Sequence, residues 1–448
     1  MARLSRRRFL TRSAEVAGTA ALGFGALQLL GCRDARRFDR LVAALGEGAY
    51  GPLREAGPEL ALPPGFEYRR LGVTGSTMSD GFPTPGAHDG MAAFPLPNGN
   101  VRLIRNHELG GREPGAPLAT PAYDERTAGG TTSLEIDPAS RAVVRDFVSL
   151  SGTHRNCAGG PTPWGSWLSC EESVAERAGG TSPVHGYIFE VPVAAEGPVE
   201  PLPLRAMGRF VHEAVAVDPA TGIVYETEDQ GRAGFYRFLP ERPYTTVAPA
   251  DLAVGGRLQM LAVRDRPNAD LASGQTPGVV LSVAWVDIAD PDPADAGANP
   301  SAVFDQGWAY RGARFSRVEG CWYAEGSIWF TCTDGGDAAC GQVWRYTPAA
   351  EEMVLVFESP SDALLDYPDN VCISPRGGIV LCEDGRGRQY VRGLTREGKL
   401  FDFASNLASD SEFAGATFSP DGGTLFLNIQ NDPGATFAIW GPWEQGAL

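Results

Sequence analysis

The residues most able to do chemistry lie in one stretch, Asn156-Cys157-Ala158-Gly159-Gly160-Pro161-Thr162-Pro163-Trp164-Gly165-Ser166-Trp167-Leu168-Ser169-Cys170-Glu171-Glu172. A polar residue and a cysteine lead into a Pro/Gly turn, a short apolar strand follows, and two adjacent carboxylates end it. In a hairpin the start of the first strand lies beside the end of the second. That geometry sets the Cys157 thiol near Glu171 and Glu172. A thiolate among carboxylates calls for a cation to hold them together, so the stretch reads as one sector of a metal site.

The pattern recurs along the chain. A first copy runs from Asp89-Gly90 to Asn106-His107-Glu108, and a third from His212-Glu213-Ala214 to Glu226-Thr227-Glu228-Asp229. Others run from Glu319-Gly320 to Asp334, from Asp369-Asn370 to Glu383-Asp384, and from Glu412 to Gln430-Asn431. Strand starts thus carry Asp89, Cys157, Glu213, Glu319, Asn370 and Glu412; strand ends carry Glu108, Glu171, Glu172, Glu228, Asp229, Glu383 and Asp384. Any one of these is by default a solvated turn acid. Recurrence in register argues that they converge, and converging acids need cations to neutralise them.

Carboxylates favour a hard cation, Ca²⁺ first. The single thiolate points to a second, softer or more Lewis-acidic ion, with Fe³⁺ ahead of zinc. His88, His107 and His212 each adjoin a candidate ligand and would act as ligands or as orienters behind them; His154 and His185 have no evident role. A His-Glu-x-x-His motif and a Gly-rich phosphate loop are both absent. Arg317, two residues before Glu319, suits a bidentate grip on a phosphorylated substrate or an ion pair with a neighbouring acid.

The elements that must position these groups are short strands joined by tight turns. Six hairpin copies at irregular spacing read as an all-β fold, a six-bladed β-propeller with a metal cluster in its central channel. Each apolar strand buries both faces only if neighbouring blades stack. The 56 Gly and 35 Pro fit strands and turns, and 43% hydrophobic residues suffice for a core across residues 61–448 as one domain. The longest gap, Pro243 to Pro300, leaves room for outer strands and loops. A formal charge of −17 argues against nucleic acid as partner. Nothing implies a partner chain, and a monomer is expected.

Residues 1–32 read as a targeting segment. Ser5-Arg6-Arg7-Arg8-Phe9-Leu10 matches the twin-arginine pattern, and an apolar run from Ala14 to Leu30 follows. Leu29-Leu30-Gly31-Cys32 resembles a lipobox in which Cys32 would be lipidated, the alternative being a leader with an incidental cysteine. Export to the periplasm, cell surface or medium is expected, with membrane contact only through such an anchor. Residues 33–60 read as a tether. With Cys32 and Cys157 set aside, Cys170, Cys321, Cys332, Cys340, Cys372 and Cys382 are free to form disulfides in an exported protein, and Cys372 with Cys382 is the first pair to test.

At Asn106-His107-Glu108, the block from Asn156 to Glu172, Phe210 to Ala214, Arg317 to Gly320, Cys382 to Gly385 and Glu412 to Asn431, the chain resembles the PhoX family of secreted alkaline phosphatases. The resemblance implies a six-bladed propeller with a mixed iron and calcium cluster. It implies metal binding by Cys157, Glu213 and Glu319, and a grip on substrate phosphate by Arg317. It departs at Tyr225-Glu226-Thr227-Glu228-Asp229, where this chain follows a shorter branch. Three readings result: a metal-dependent phosphomonoesterase, a Ca²⁺-dependent propeller lactonase or esterase, and a non-catalytic surface lipoprotein braced by its cations. Cys157 and Arg317 favour the first, since opening a lactone needs neither.

Overall fold

The computed structural model describes residues 49–111, 118–174, 183–431 and 434–448. The signal segment, Cys32 and the first part of the expected tether lie outside them. Short strands β1 (Arg54–Glu55), β2 (Leu60–Leu62) and β3 (Glu67–Leu71) precede a series of hairpins. The first sheet is β4 (His88–Pro95), β5 (Val101–His107), β6 (Gly129–Ile136) and β7 (Val143–Thr153); the second is β8 (Asn156–Pro161), β9 (Ser166–Glu171) and β10 (Ile188–Pro192). Strands β11 (His212–Val217), β12 (Val224–Glu228), β13 (Phe235–Pro240), β14 (Gly256–Val263) and β15 (Val280–Asp287) continue directly into another set. That set is β16 (Val318–Ala324), β17 (Ser327–Cys332), β18 (Gln342–Thr347) and β19 (Glu352–Glu358), and pairing of β15 with β19 makes one nine-stranded sheet. Next come β20 (Pro368–Ile373), β21 (Ile379–Glu383), β22 (Tyr390–Leu394) and β23 (Leu400–Asn406), then β24 (Phe413–Phe418), β25 (Leu425–Ile429) and β26 (Ala435–Trp440). The α-helix among the described residues, α1 (Ala302–Ala309), follows the long Pro243–Pro300 region and packs against β14.

The first strand of each hairpin lies beside the first strand of the next: β4 by β8, β8 by β11, β11 by β16, β16 by β20, β20 by β24, and β24 by β4 again. The arrangement is all-β and propeller-like. Its apolar cores fill the spaces between neighbouring sheets, as the alternation of strand side chains requires. Between the third and fourth hairpins, for example, Phe235 stacks on Phe330 with ring centroids 4.4 Å apart.

The N-terminal segment closes the ring. β3 pairs with β26, and β2 with β23. Arg105 of β5, buried, donates to Thr436 of β26 at 2.7 Å and to the Gly72 carbonyl at 3.3 Å, tying the first sheet to that seam. The expected tether to residue 60 is therefore too long. Tyr50 is buried, its hydroxyl within 2.8 Å of the Leu448 carbonyl, because its ring completes an aromatic cluster with Phe66, Phe403 and Trp443.

The cysteines in the described residues are free thiols, so the expected disulfides do not form there. Cys372 lies opposite Val380 rather than Cys382, and the strand register keeps the two thiols on offset rungs.

Candidate metal centre

All six hairpins carry a register shift at the same place, near the start of the first strand. The residues that open these bulges are Asp89, Cys157, Glu213, Glu319, Asp369 and Gly415. A bulge turns its extra side chain out of the strand's alternation, and here it brings Asp89, Cys157, Glu213, Glu319 and Asp369 to the shared mouth of the ring, whereas Gly415 has no side chain to offer. The residues that follow are small where neighbouring strands crowd. A Cβ on Gly90 would lie 2.5 Å from the Ala158 Cα, and one on Gly320 would lie 2.6 Å from the Asp369 carbonyl.

A second repeated device fixes the bulge backbone. Near the end of its second strand, a hairpin sends a side-chain donor to the carbonyl of the next hairpin's bulge residue. Asn106 reaches Cys157 at 3.1 Å, Thr227 reaches Glu319 at 2.7 Å, Thr331 reaches Asp369 at 2.7 Å, and Asn428 reaches Asp89 at 2.5 Å. Asn106 also donates to the Ala158 carbonyl at 2.6 Å and accepts from Trp167 Nε1 at 2.8 Å and Ser169 Oγ at 2.9 Å.

Two groups of ligand atoms result. Atoms of Cys157, Glu172 and Glu213 lie within 4.8 Å of one another, as do atoms of Glu213, Glu319 and Asp369, so Glu213 belongs to both. The Cys157 Sγ lies 2.7 Å from a Glu213 oxygen. Gln430 bridges Asp89 at 3.1 Å and Glu108 at 2.9 Å. Glu412 meets Asp384. Arg317 pairs with Glu319 at 2.5 Å and Asp229 at 2.9 Å. Arg155 pairs with Glu172 at 2.6 Å and with Glu108.

Of the expected site residues, Cys157, Glu108, Glu172, Glu213, Asp229, Arg317, Glu319 and Asp384 thus come together. Glu171, Glu228 and Glu383 do not. Glu171 accepts from His185 at 2.7 Å and from the N–H groups of His154, Gly186 and Tyr187. Glu228 accepts from Tyr236 at 2.7 Å and the Gly234 N–H at 2.8 Å, and Glu383 pairs with Arg392 at 2.7 Å. In each adjacent acid pair the first residue ends the strand and alternates into its own sheet, leaving the second at the mouth. Asn370 is likewise displaced by Asp369, since its oxygen accepts the Ala416 N–H at 3.1 Å. His88, His107 and His212 bond backbone carbonyls of Pro85, Gly86 and Gly208, and burial pushes the His212 imidazole down to about 3.

Sequence reasoning missed Asp369, Gln430, Arg155 and the row of Asn and Thr donors. The signal for the last was their shared place one residue inside the strand end.

Burial is the first force on the cluster's acids. It pushes up the Cys157 thiol, aided by Glu213, and Glu213 itself, aided by Asp369. Burial with Asp369 nearby raises Glu319, and burial with Glu108 nearby raises Asp89 and Glu172. Asp369 is pushed up to about 7 by burial. Burial also opposes the charge on Arg317, but Glu319 and Asp229 outweigh it. Such a set holds protons in place of cations and releases them when cations bind. Its donors, many carboxylate oxygens and one thiolate, fit hard cations beside a thiophilic one.

The family model of alkaline phosphatase PhoX matches residues 48–434. In the solved structures, PhoX of Pseudomonas fluorescens in complex with vanadate, a transition state analogue, superposes with a TM-score of 0.67 at 16% identity, covering 90% of this chain and 99% of that one. A gluconolactonase from Xanthomonas campestris matches with a TM-score of 0.44 at 13% identity, over 87% of this chain and 99% of that one. Among curated proteins none matches in sequence. The chain belongs to the PhoX alkaline phosphatase family, a family of phosphoric ester hydrolases.

Proposed function

We propose that this protein is an exported phosphatase that hydrolyses phosphomonoesters at a mixed iron and calcium cluster in the channel of a six-bladed propeller. The observation that carries the reading is the buried meeting of one thiol and several carboxylates beside an arginine. Cys157, Glu172 and Glu213 would hold iron, and the remaining carboxylates of Glu319, Asp369, Asp89, Glu108, Asp229, Asp384 and Glu412 would hold iron and Ca²⁺. When bound, the cations supply Lewis acidity toward phosphoryl oxygens. Arg317, oriented by Asp229 and Glu319, supplies planar N–H donors that bind a phosphoryl group and stabilise its developing charge. The thiol and carboxylates would release their protons to solvent as cations bind, and so tie the charge of the site to its metal content. The twin-arginine segment and Cys32 support export with or without a lipid anchor.

Protein loaded with Ca²⁺ and iron should cleave an aryl phosphate, and chelation should abolish that turnover. A lactone panel run alongside distinguishes the competing hydrolase. Failure of the fully metallated protein to turn over any phosphate mono- or diester would remove the proposal. Replacing Arg6 and Arg7 with lysine should retain the protein inside the cell, as judged by fractionation.

A further inference from the structure

Arg155 holds in the second hairpin the place that Arg317 holds in the fourth. Each stands two residues before the residue that opens its hairpin's bulge, Cys157 and Glu319 respectively. Each has left-handed backbone, with φ of 51° at Arg155 and 43° at Arg317, a conformation costly for a bulky residue. Their hydrogen bonds repeat as well. The Arg155 carbonyl accepts the Glu172 N–H at 2.9 Å, and the Arg317 carbonyl accepts the Thr333 N–H at 2.9 Å. Their own N–H groups donate to Leu109 at 2.9 Å and Gln230 at 2.8 Å. Ala87 and Tyr367, at the same place in the first and fifth hairpins, are also left-handed. The repeat therefore sets the backbone, whereas the guanidinium is particular to these two hairpins among those four.

The two side chains flank Glu213, the residue common to both ligand groups. Arg155 engages Glu172 and Glu108 on the Cys157 side; Arg317 engages Glu319 and Asp229 on the other. Both reach solvent at the mouth, with 44% of the Arg155 side chain and 28% of the Arg317 side chain exposed. Both acid contacts of Arg155 fall on Nη2, which leaves the separate N–H groups of Nη1 and Nε for other acceptors.

We propose that Arg155 is the second arginine of a clamp on the substrate's phosphoryl group, gripping from the Cys157 side while Arg317 grips from the Glu319 side. This rests on the phosphatase reading. Two guanidinium groups, each with N–H donors left over from its acids, match the dianion of a monoester, with three unsubstituted oxygens, better than the single charge of a diester. The clamp thus selects monoesters.

The test uses metallated wild-type protein, Arg155→Lys and Arg155→Met. It measures metal content, inhibition by inorganic phosphate, and kcat and KM for an aryl phosphate monoester and diester. Lysine keeps the charge beside Glu108 and Glu172 and guards against misfolding. Expected are full metal content, about 10- to 100-fold weaker phosphate inhibition, and a reduced monoester preference, with lysine the milder change. Unchanged phosphate inhibition at full metal content in Arg155→Lys overturns the proposal. So does loss of metal that accounts for the whole effect, since Arg155 would then only brace Glu108 and Glu172. If wild-type protein cleaves no ester, the phosphatase reading fails. Calorimetric titration of inorganic phosphate into wild type and variants then decides the clamp separately.

Discussion

Asn106→Asp would test how the fold holds the thiol. Asn106 is fully buried, and its amide donates to the carbonyls of Cys157 at 3.1 Å and Ala158 at 2.6 Å. Aspartate preserves the shape and the acceptor toward Trp167 and Ser169, but sets an oxygen against two carbonyl oxygens. Each donor bond lost beside a buried acceptor costs about 1–3 kcal/mol, so the pair would cost about 2–6 kcal/mol. A protonated aspartate restores one donor and brings the loss down to about 1–3 kcal/mol. The strain falls on the Cys157-Ala158 bulge, so it should also appear as weaker metal binding. Groups that orient ligands from behind are worth about 10- to 100-fold in affinity. The assay is competition for iron with a chelator of known affinity, beside urea unfolding of the metal-free protein. Asn106→Asp should lose both stability and iron affinity. If stability falls while iron affinity is unchanged, the bulge backbone does not govern the thiol, and the reasoning fails.

Two further outcomes follow from the same geometry. Cys157→Ser should strip the transition metal while leaving much of the Ca²⁺, because a hydroxyl holds its proton far more tightly than a thiol and the Glu213, Glu319 and Asp369 group remains. Cys170→Ser, buried in the core between the second and third sheets, should keep its metal; elemental analysis of the pair in reverse order would redraw the site. Metal affinity should also fall as the pH drops through about 7. Burial raises Asp369 to about 7 in the metal-free protein, so below that value a cation must displace a proton, whereas above it the carboxylate is already free. Chelator competition at pH 6 and pH 8.5 measures this, and equal affinities at the two would exclude Asp369 as a ligand.

The hairpins and their acid-bearing ends were legible because they are local. A Pro/Gly turn such as Ser419-Pro420-Asp421-Gly422-Gly423 closes within a few residues, with Asp421 accepting the Gly423 N–H at 3.0 Å. Apolar residues on both sides of such turns have one stable use, as strands stacked between neighbouring sheets. The N-terminal segment was misjudged for the opposite reason. Tyr50 and Leu60 to Leu62 are too short a pattern to read as strand and core, and only their partners at Asn406, Trp443 and Leu448 give them that role.

Sequence alone determined that acids and one cysteine recur at equivalent hairpin ends, since turn chemistry and strand alternation act over a handful of residues. Tertiary structure alone decided which member of each pair faces the others. Glu171 and Glu172 are indistinguishable in sequence, yet His185 and three backbone N–H groups claim the first, and Arg155 and Cys157 meet the second. Asp369 rather than Asn370 enters the cluster because a one-residue bulge resets the side-chain direction, and that bulge is held by Thr331 of the preceding hairpin. Strand direction alternates with every residue, so a shift of one position reverses what points inward, and only contacts between sheets distant in sequence set that register.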